Sequence, residues 1–353
     1  MREKNRAMFR FISIVSLHFI FFYNSIYAQG LDSPKRFRAM FYNVENLFDP
    51  FDDSLTNDEE FTPMGTRHWT WEKMNNKING IYKTIVAVGE WEPPVFVGMC
   101  EVENGYMLYR LTHETPLLKF NYGIVHRESP DPRGIDVGLL YRKDLFSLLE
   151  TKFFRVAFPS EPNHKTREIL YVCGVLAGID TIHVFVNHWP SKFGGELESN
   201  AGRFAAANTL REKVDSIKIF YPEARILILG DFNDEPESTP LVDGLKVCLN
   251  SNDKCPSGLV SISAILRSKG QGSYKYQGVW GMIDQMIVSE SLLDQKNKIF
   301  TSPENASVFR SDFLLEPDDA FVGDKPFRTF VGFKYHGGFS DHLPVYIDIL
   351  KRQ

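Results

Sequence analysis

The chain has 353 residues, 43% of them apolar and 14% aromatic, which fits one large domain or two smaller ones and excludes a disordered chain. A formal net charge of -5 excludes a general electrostatic pull toward nucleic acid or anionic membranes, so any polyanion has to be met by a local cluster of cations. The 4 cysteines, at positions 100, 173, 248 and 255, lack the spacing of a structural zinc module.

The N-terminus reads as a targeting segment. Arg2, Lys4, Arg6 and Arg10 precede a mostly apolar run from Phe11 to Tyr23, and Ser25 to Ala28 offers a cleavage site. The run falls short of the roughly 20 residues that span a bilayer. Residues 1–28 are therefore expected to be a signal peptide, 29–36 a short linker and 37–351 a single domain. The mature chain is expected as a monomer in the periplasm or outside the cell, with no stable membrane association. Disulfides persist in such compartments. Cys248 and Cys255 bracket a polar loop and are either bridged or free, while Cys100 and Cys173 lie in apolar runs as small buried hydrophobes.

In chain order, Arg36 to Tyr42 reads as a strand entering the polar turn Asn43 to Pro50, and residues 51–70 as a surface loop. Met74, Ile78, Ile81, Ile85 and Val88 recur at helical spacing over Trp71 to Val88, with Gly89 as a stop. Val95 to Cys100 is a buried strand leading directly into Glu101. Tyr122 to His126 and Asp136 to Tyr141 read as strands around a loop, and Ile169 to Leu176 pairs with Thr181 to Val186, which runs into Asn187 and His188. A helix is predicted over 198–219. Four branched apolar residues, Ile226 to Leu229, then form a strand buried on both faces, with Gly230 letting the backbone bend before Asp231 and Asn233. Gly281 to Val288 and Phe339 to Ile349 are the last strands. Strands and helices alternate without a regular βαβ cadence, which favours mixed or stacked sheets with outer helices.

Five of these strands end in one kind of chemistry: Asn43 with Glu45, Glu101, Asn187 with His188, Asp231 with Asn233, and Asp341 with His342. Asp284 adds a carboxylate inside the Gly281 to Val288 strand. Taken singly, each is as readily a turn residue or a structural hydrogen-bond partner; the weight lies in their joint occurrence. Carboxylate and amide oxygens suit a hard cation, Mg²⁺ first with Mn²⁺ or Ca²⁺ as alternatives, and zinc is a weaker fit. A His paired with an Asp suits a proton donor or phosphate partner.

The segments Asn43 to Glu45, Glu101 after its apolar run, Asn187 with His188, Gly230 to Asn233, Asp284, and Ser340 to His342 stand in the order of the endonuclease/exonuclease/phosphatase superfamily, which the chain resembles over about residues 37–351. The resemblance implies a DNase I-like α/β fold, a four-layer α/β sandwich of two packed mixed sheets flanked by helices. It implies one divalent metal held by Glu101 with Asn43, Asp341 and Glu45. Asp231 would orient or deprotonate the attacking water, Asn233 would contact the phosphate, Asp284 would hold His342 against the scissile phosphate, and His188 would act near the leaving group. Arg133, Lys192 and Arg203 lie beside these blocks as candidate phosphate clamps.

The expected activity is metal-dependent hydrolysis of a phosphoester by in-line attack of water, with a nuclease-like phosphodiesterase first. Tyr274 to Tyr276, basic and aromatic, could stack on bases. A sugar, inositol or lipid phosphate is the alternative substrate. A non-catalytic binding protein is disfavoured because every catalytic position is filled.

Overall fold

A computed structural model describes residues 36–158, 164–192, 196–250 and 255–353. The expected signal peptide, and the linker up to residue 35, lie outside the described residues. The chain opens with β1 (Arg36–Leu47), α1 (Trp71–Gly89), β2 (Phe96–Val102), α2 (Gly105–His113), β3 (Tyr122–His126) and β4 (Asp136–Arg142). Strands β5 (Phe146–Phe154), β6 (Ile169–Leu176) and β7 (Asp180–His188) form a meander, followed by α3 (Glu196–Phe220) and β8 (Ile226–Asp231). Next come β9 (Leu259–Ser261), α4 (Ile262–Ser268), the hairpin of β10 (Tyr274–Tyr276) and β11 (Val279–Gly281), β12 (Asp284–Ser289) and α5 (Glu290–Leu293). Short strands β13 (Ile299–Phe300) and β14 (Ala306–Val308) lead to two small hairpins, β15 (Leu315–Pro317) with β16 (Asp324–Pro326) and β17 (Phe330–Val331) with β18 (Lys334–Tyr335). The last strand is β19 (Val345–Lys351).

These strands build two main mixed sheets. The first runs β13-β19-β1-β2-β4-β3, with β14 also on β19, and the second runs β5-β6-β7-β8-β12-β9. Alternation along each strand sends side chains to two different cores. Phe37, Ala39 and Phe41 of β1 point between the sheets, where they meet Val172, Val184, Val186, Leu227 and Leu229. The intervening Met40, Tyr42 and Val44 pack under Met74, Ile78, Ile81 and Ile85 of α1 and Leu108 and Leu111 of α2. On the far side, Phe185, Ile226, Ile228 and Ile287 pack under Ala206, Ala207, Leu210 and Val214 of α3. The result is a helix, sheet, sheet, helix sandwich, as the resemblance implied.

Each sheet has one parallel pair at its centre, β1 with β2 and β7 with β8, among antiparallel neighbours. Parallel strands deliver their C-terminal ends to the same edge, so Asn43 and Glu101 emerge together in one sheet, and His188 and Asp231 in the other. Antiparallel β12 starts where β8 ends, placing Asp284 opposite Asp231.

Three local readings are corrected. Gly281 belongs to the β10–β11 hairpin, and β12 starts at Asp284. Phe339 to Pro344 is not strand: the Ser340 hydroxyl donates to Asn43 O at 2.7 Å and turns this segment into the cleft before β19 begins. Gly230 makes no bend, since β8 continues through it. A Cβ there would stand 2.5 Å from Asn187 O, so the glycine permits close approach of β7. Cys248 and Cys255 form a disulfide.

Candidate active site

The strand ends are shaped by strained backbone. Glu101 adopts φ 60° and sits at a register break between Cys100 and Val102, a bulge that turns its side chain out of the ladder. Glu45, Asn46 and Asn233 are also left-handed, at φ 51°, 59° and 50°. Non-glycine residues hold that conformation at a cost of about 1–3 kcal/mol each, and such strain clusters at functional sites.

Asn43 is the hub. Its Nδ2 donates to Glu101 Oε1 and to Asp231 Oδ2, both at 3.0 Å, and so ties the two sheets together. Asn46 N–H donates to Glu101 Oε2 at 3.0 Å, and Asn233 N–H donates to Asp231 Oδ1 at 2.8 Å. His342 Nδ1 donates to Asp284 Oδ2 at 2.8 Å, and the same oxygen accepts from Ser273 Oγ at 2.5 Å. Two imidazoles flank Asp231 Oδ2, His342 Nε2 at 3.9 Å and His188 Nε2 at 3.8 Å. The ring of Tyr274 covers His342, with centroids 4.8 Å apart.

Charge is distributed unevenly among these groups. Burial pushes the Asp231 carboxyl up to about 7, with Asp284 adding to the rise and His342 opposing it. Burial alone would depress His342, but the Asp284, Asp231 and Asp341 carboxylates hold it well above the usual imidazole range. His188 goes the other way: burial, then the Arg167, Arg133 and His342 charges, keep it neutral. A carboxylate near neutrality beside an imidazolium and a neutral imidazole is the separation of acid and base roles that hydrolysis needs.

Among the described residues, two groups present possible metal ligands within 4.8 Å of one another: Asp231, Asp284 and His342, and Cys100, His188 and Asp231. The sequence model of the Endonuclease/Exonuclease/phosphatase family matches residues 38–351, nearly the whole described chain. The chain belongs to the endonuclease/exonuclease/phosphatase family. Among solved structures it is similar to humanized D. rerio TDP2 (14% identity, 89% of this chain and 98% of that one, TM-score 0.55). It is also similar to a Bacteroides thetaiotaomicron mannosyl-6-phosphatase (14%, 89% and 99%, TM-score 0.56) and to the human Nocturnin catalytic domain with bound sulfate (16%, 90% and 94%, TM-score 0.52). At these identities the likeness speaks to the fold alone. No curated protein matches the chain. Family membership together with the candidate clusters supports a metal-dependent phosphoesterase.

Within this family frame the structure gathers Asn43, Glu101, His188, Asp231, Asn233, Asp284 and His342. It gives several other expected residues different partners. Both oxygens of Glu45 accept backbone N–H groups, from Thr329 at 2.6 Å and Phe330 at 3.2 Å, so this carboxylate anchors the segment that carries Asp341. Asp341 Oδ2 is held by Arg328 at 2.5 Å. Asn43 turns its amide nitrogen toward the carboxylates, and its oxygen accepts Glu45 N–H. Arg203, expected as a phosphate clamp, is 1% exposed and donates to Asp234 at 2.8 Å, which holds the turn after β8. Lys192 reaches the same Asp234 at 3.1 Å, and Arg133 pairs with Asp131 at 3.1 Å; both stay about half exposed. Lys275 is likewise occupied, bonded to Asp318 at 2.8 Å with its side chain buried, so within Tyr274 to Tyr276 only Tyr276 presents an exposed ring.

Sequence reading missed Arg328, Tyr274 as the cover of His342, Ser273, Lys77 and the buried pair Asp131 with Arg167. Lys77 had one signal: it falls on the apolar face of α1, three residues after Met74 and one before Ile78. Its ammonium donates to Phe339 O at 2.6 Å and to Thr329 Oγ1. Arg167 donates to Asp131 Oδ2 at 2.9 Å and to Trp189 O at 2.5 Å, the carbonyl that also accepts Asn233 Nδ2 at 3.0 Å.

Proposed function

We propose that the chain is an exported phosphodiesterase of the nuclease type that depends on a divalent metal and hydrolyses P–O bonds by in-line attack of water. The observation that carries this reading is Asp231, raised to about 7 and standing under 4 Å from both His342 and His188. Asp231 would take the proton of the attacking water. His342, kept protonated by Asp284, would face the phosphoryl oxygens, and His188 would stand near the leaving oxygen, with Asn233 contacting the phosphate.

Glu101 and Asp341 are the carboxylates we assign to the metal, Mg²⁺ first. The oxygen donors fit a hard cation, and Glu101 is thrown out of the ladder by its bulge. Such an ion, when bound, stabilises charge on a phosphoryl oxygen. Export is supported by the basic and apolar N-terminus and by the Cys248–Cys255 disulfide.

A polymeric diester is favoured by the spread of part-exposed cations around the site, Arg133, Lys192 and Arg328. The polar cleft of about 570 Å³ beside Asp131 adds no pull on a polyanion, because Glu103, Glu128, Asp136 and Glu168 line it together with Arg127, Arg155 and Lys165. A second reading, a sugar phosphomonoester, is favoured because the rim cations are already paired with Asp131, Asp234 and Asp341. The likeness to the mannosyl-6-phosphatase adds to it. Mature protein offered plasmid DNA, RNA, bis-p-nitrophenyl phosphate, p-nitrophenyl phosphate and hexose 6-phosphates, with Mg²⁺, Mn²⁺ or EDTA, separates the two. Metal-dependent diester cleavage is expected; turnover of monoesters alone would replace the first reading by the second.

A further inference from the structure

We propose that Cys100, His188 and Asp231 form a zinc-selective inhibitory site, distinct in chemistry from the oxygen-ligated centre of the reaction. Cys100 lies on β2 with its side chain between the sheets, fully buried, while His188 and Asp231 come from paired positions at the ends of β7 and β8. Their ligand atoms lie within 4.8 Å of one another. Zinc bound to one sulfur, one nitrogen and one oxygen sets its ligand atoms roughly 3.3–3.8 Å apart, so closure by about 1 Å completes the site.

A second observation points the same way. His188 is 6% exposed; its Nε2 stands 3.8 Å from Asp231 Oδ2, and its buried Nδ1 has no hydrogen-bond partner that would fix the ring against turning onto a metal. The imidazole is held neutral by burial and neighbouring cations, the form that ligates metal. Arg167, one of those cations, is already balanced by Asp131 at 2.9 Å. Thiol, imidazole and carboxylate together select a borderline-soft ion over Mg²⁺.

Binding exchanges a proton for the metal. The Cys100 thiol loses H⁺ to solvent, a sulfur–zinc bond forms, and no oxidation state changes. Occupancy links the two sheets and takes Asp231 away from water activation, so the consequence is inhibition.

The test uses the full mature chain carrying Cys173→Ser, which removes the other free thiol. Cobalt(II) should give a thiolate charge-transfer band in the near ultraviolet that zinc displaces and excess Mg²⁺ does not. X-ray absorption of the zinc form should show one sulfur neighbour at about 2.3 Å. Adding Cys100→Ala should abolish the band, weaken zinc binding at least tenfold, and end zinc's depression of the rate relative to that variant's own zinc-free rate. Absence of the band, a shell of nitrogen and oxygen alone, or equal zinc inhibition with and without Cys100 would overturn the site. The absorption measurement needs no second substitution, so it decides even if the Cys100 variant does not fold. Binding is read without substrate, so a chain that cleaves no phosphoester would lose the proposed function and keep this site.

Discussion

His342 owes its state to residues that do not touch solvent. Asp284 is 1% exposed, receives bonds from His342 Nδ1 and Ser273 Oγ, and fixes which face of the imidazole looks into the cleft. An amide in its place could still accept the Nδ1 proton but would carry no charge to hold the ring protonated. Asp284→Asn is therefore expected to lower kcat by about 10²–10⁴, the range of a lost acid–base contribution, with the circular dichroism of the folded chain preserved. A kcat within threefold of the parent would remove the pair from the reaction. Asp284 and His342 were legible in the sequence as a carboxylate and an imidazole. Ser273 and Tyr274, the groups that lock and cover them, were not, because a serine just before a three-residue strand and a tyrosine at its start carry no pattern that marks partners 11 and 68 residues away.

The element that most changes the picture is the long connection between β14 and β19. It holds two small hairpins and returns Arg328, Asp341 and His342 to the cleft, clamped by Glu45, Lys77 and the bond from Ser340 to Asn43. Glu45→Gln leaves one oxygen for two backbone N–H groups. It should cost about 1–3 kcal/mol of stability, read from the urea midpoint, and raise hydrogen exchange across residues 327–341. Divalent-metal activation should shift less than about threefold in that variant, against at least about tenfold in Glu101→Gln. The reverse order would restore Glu45 as a ligand and demote Glu101. Periodicity made the central elements readable: α1, β3, β6 and β8 fall where apolar spacing put them, because buried strands and an amphipathic helix carry their own signal. β5 and the 309–344 connection were not readable. β5 has one buried residue in nine, and the connection is ordered by partners remote in the chain.

At the scale of the whole molecule, the two parallel pairs give the sandwich two unlike ends: one gathers the acid and base groups, and the other holds the starts of β7 and β8 under the last turns of α3. His183 marks that second end. It is 5% exposed, its Nδ1 is hydrogen-bonded with Tyr171 Oη at 2.8 Å, and burial lowers it from the ordinary 6.5 to about 4, opposed only weakly by Glu150. Between those values the unfolded chain binds a proton that the folded chain refuses. The stability this neutral ring contributes is therefore complete above pH 6.5 and lost as pH falls toward 4. Between pH 7 and pH 4.5 the loss should be on the order of 2–3 kcal/mol. His183→Gln keeps an acceptor for the Tyr171 hydroxyl and cannot titrate, so its urea midpoint should fall less than the parent's over the same interval. Parallel declines in the two proteins would show that acid sensitivity resides elsewhere, at the crowded carboxylates of the other end.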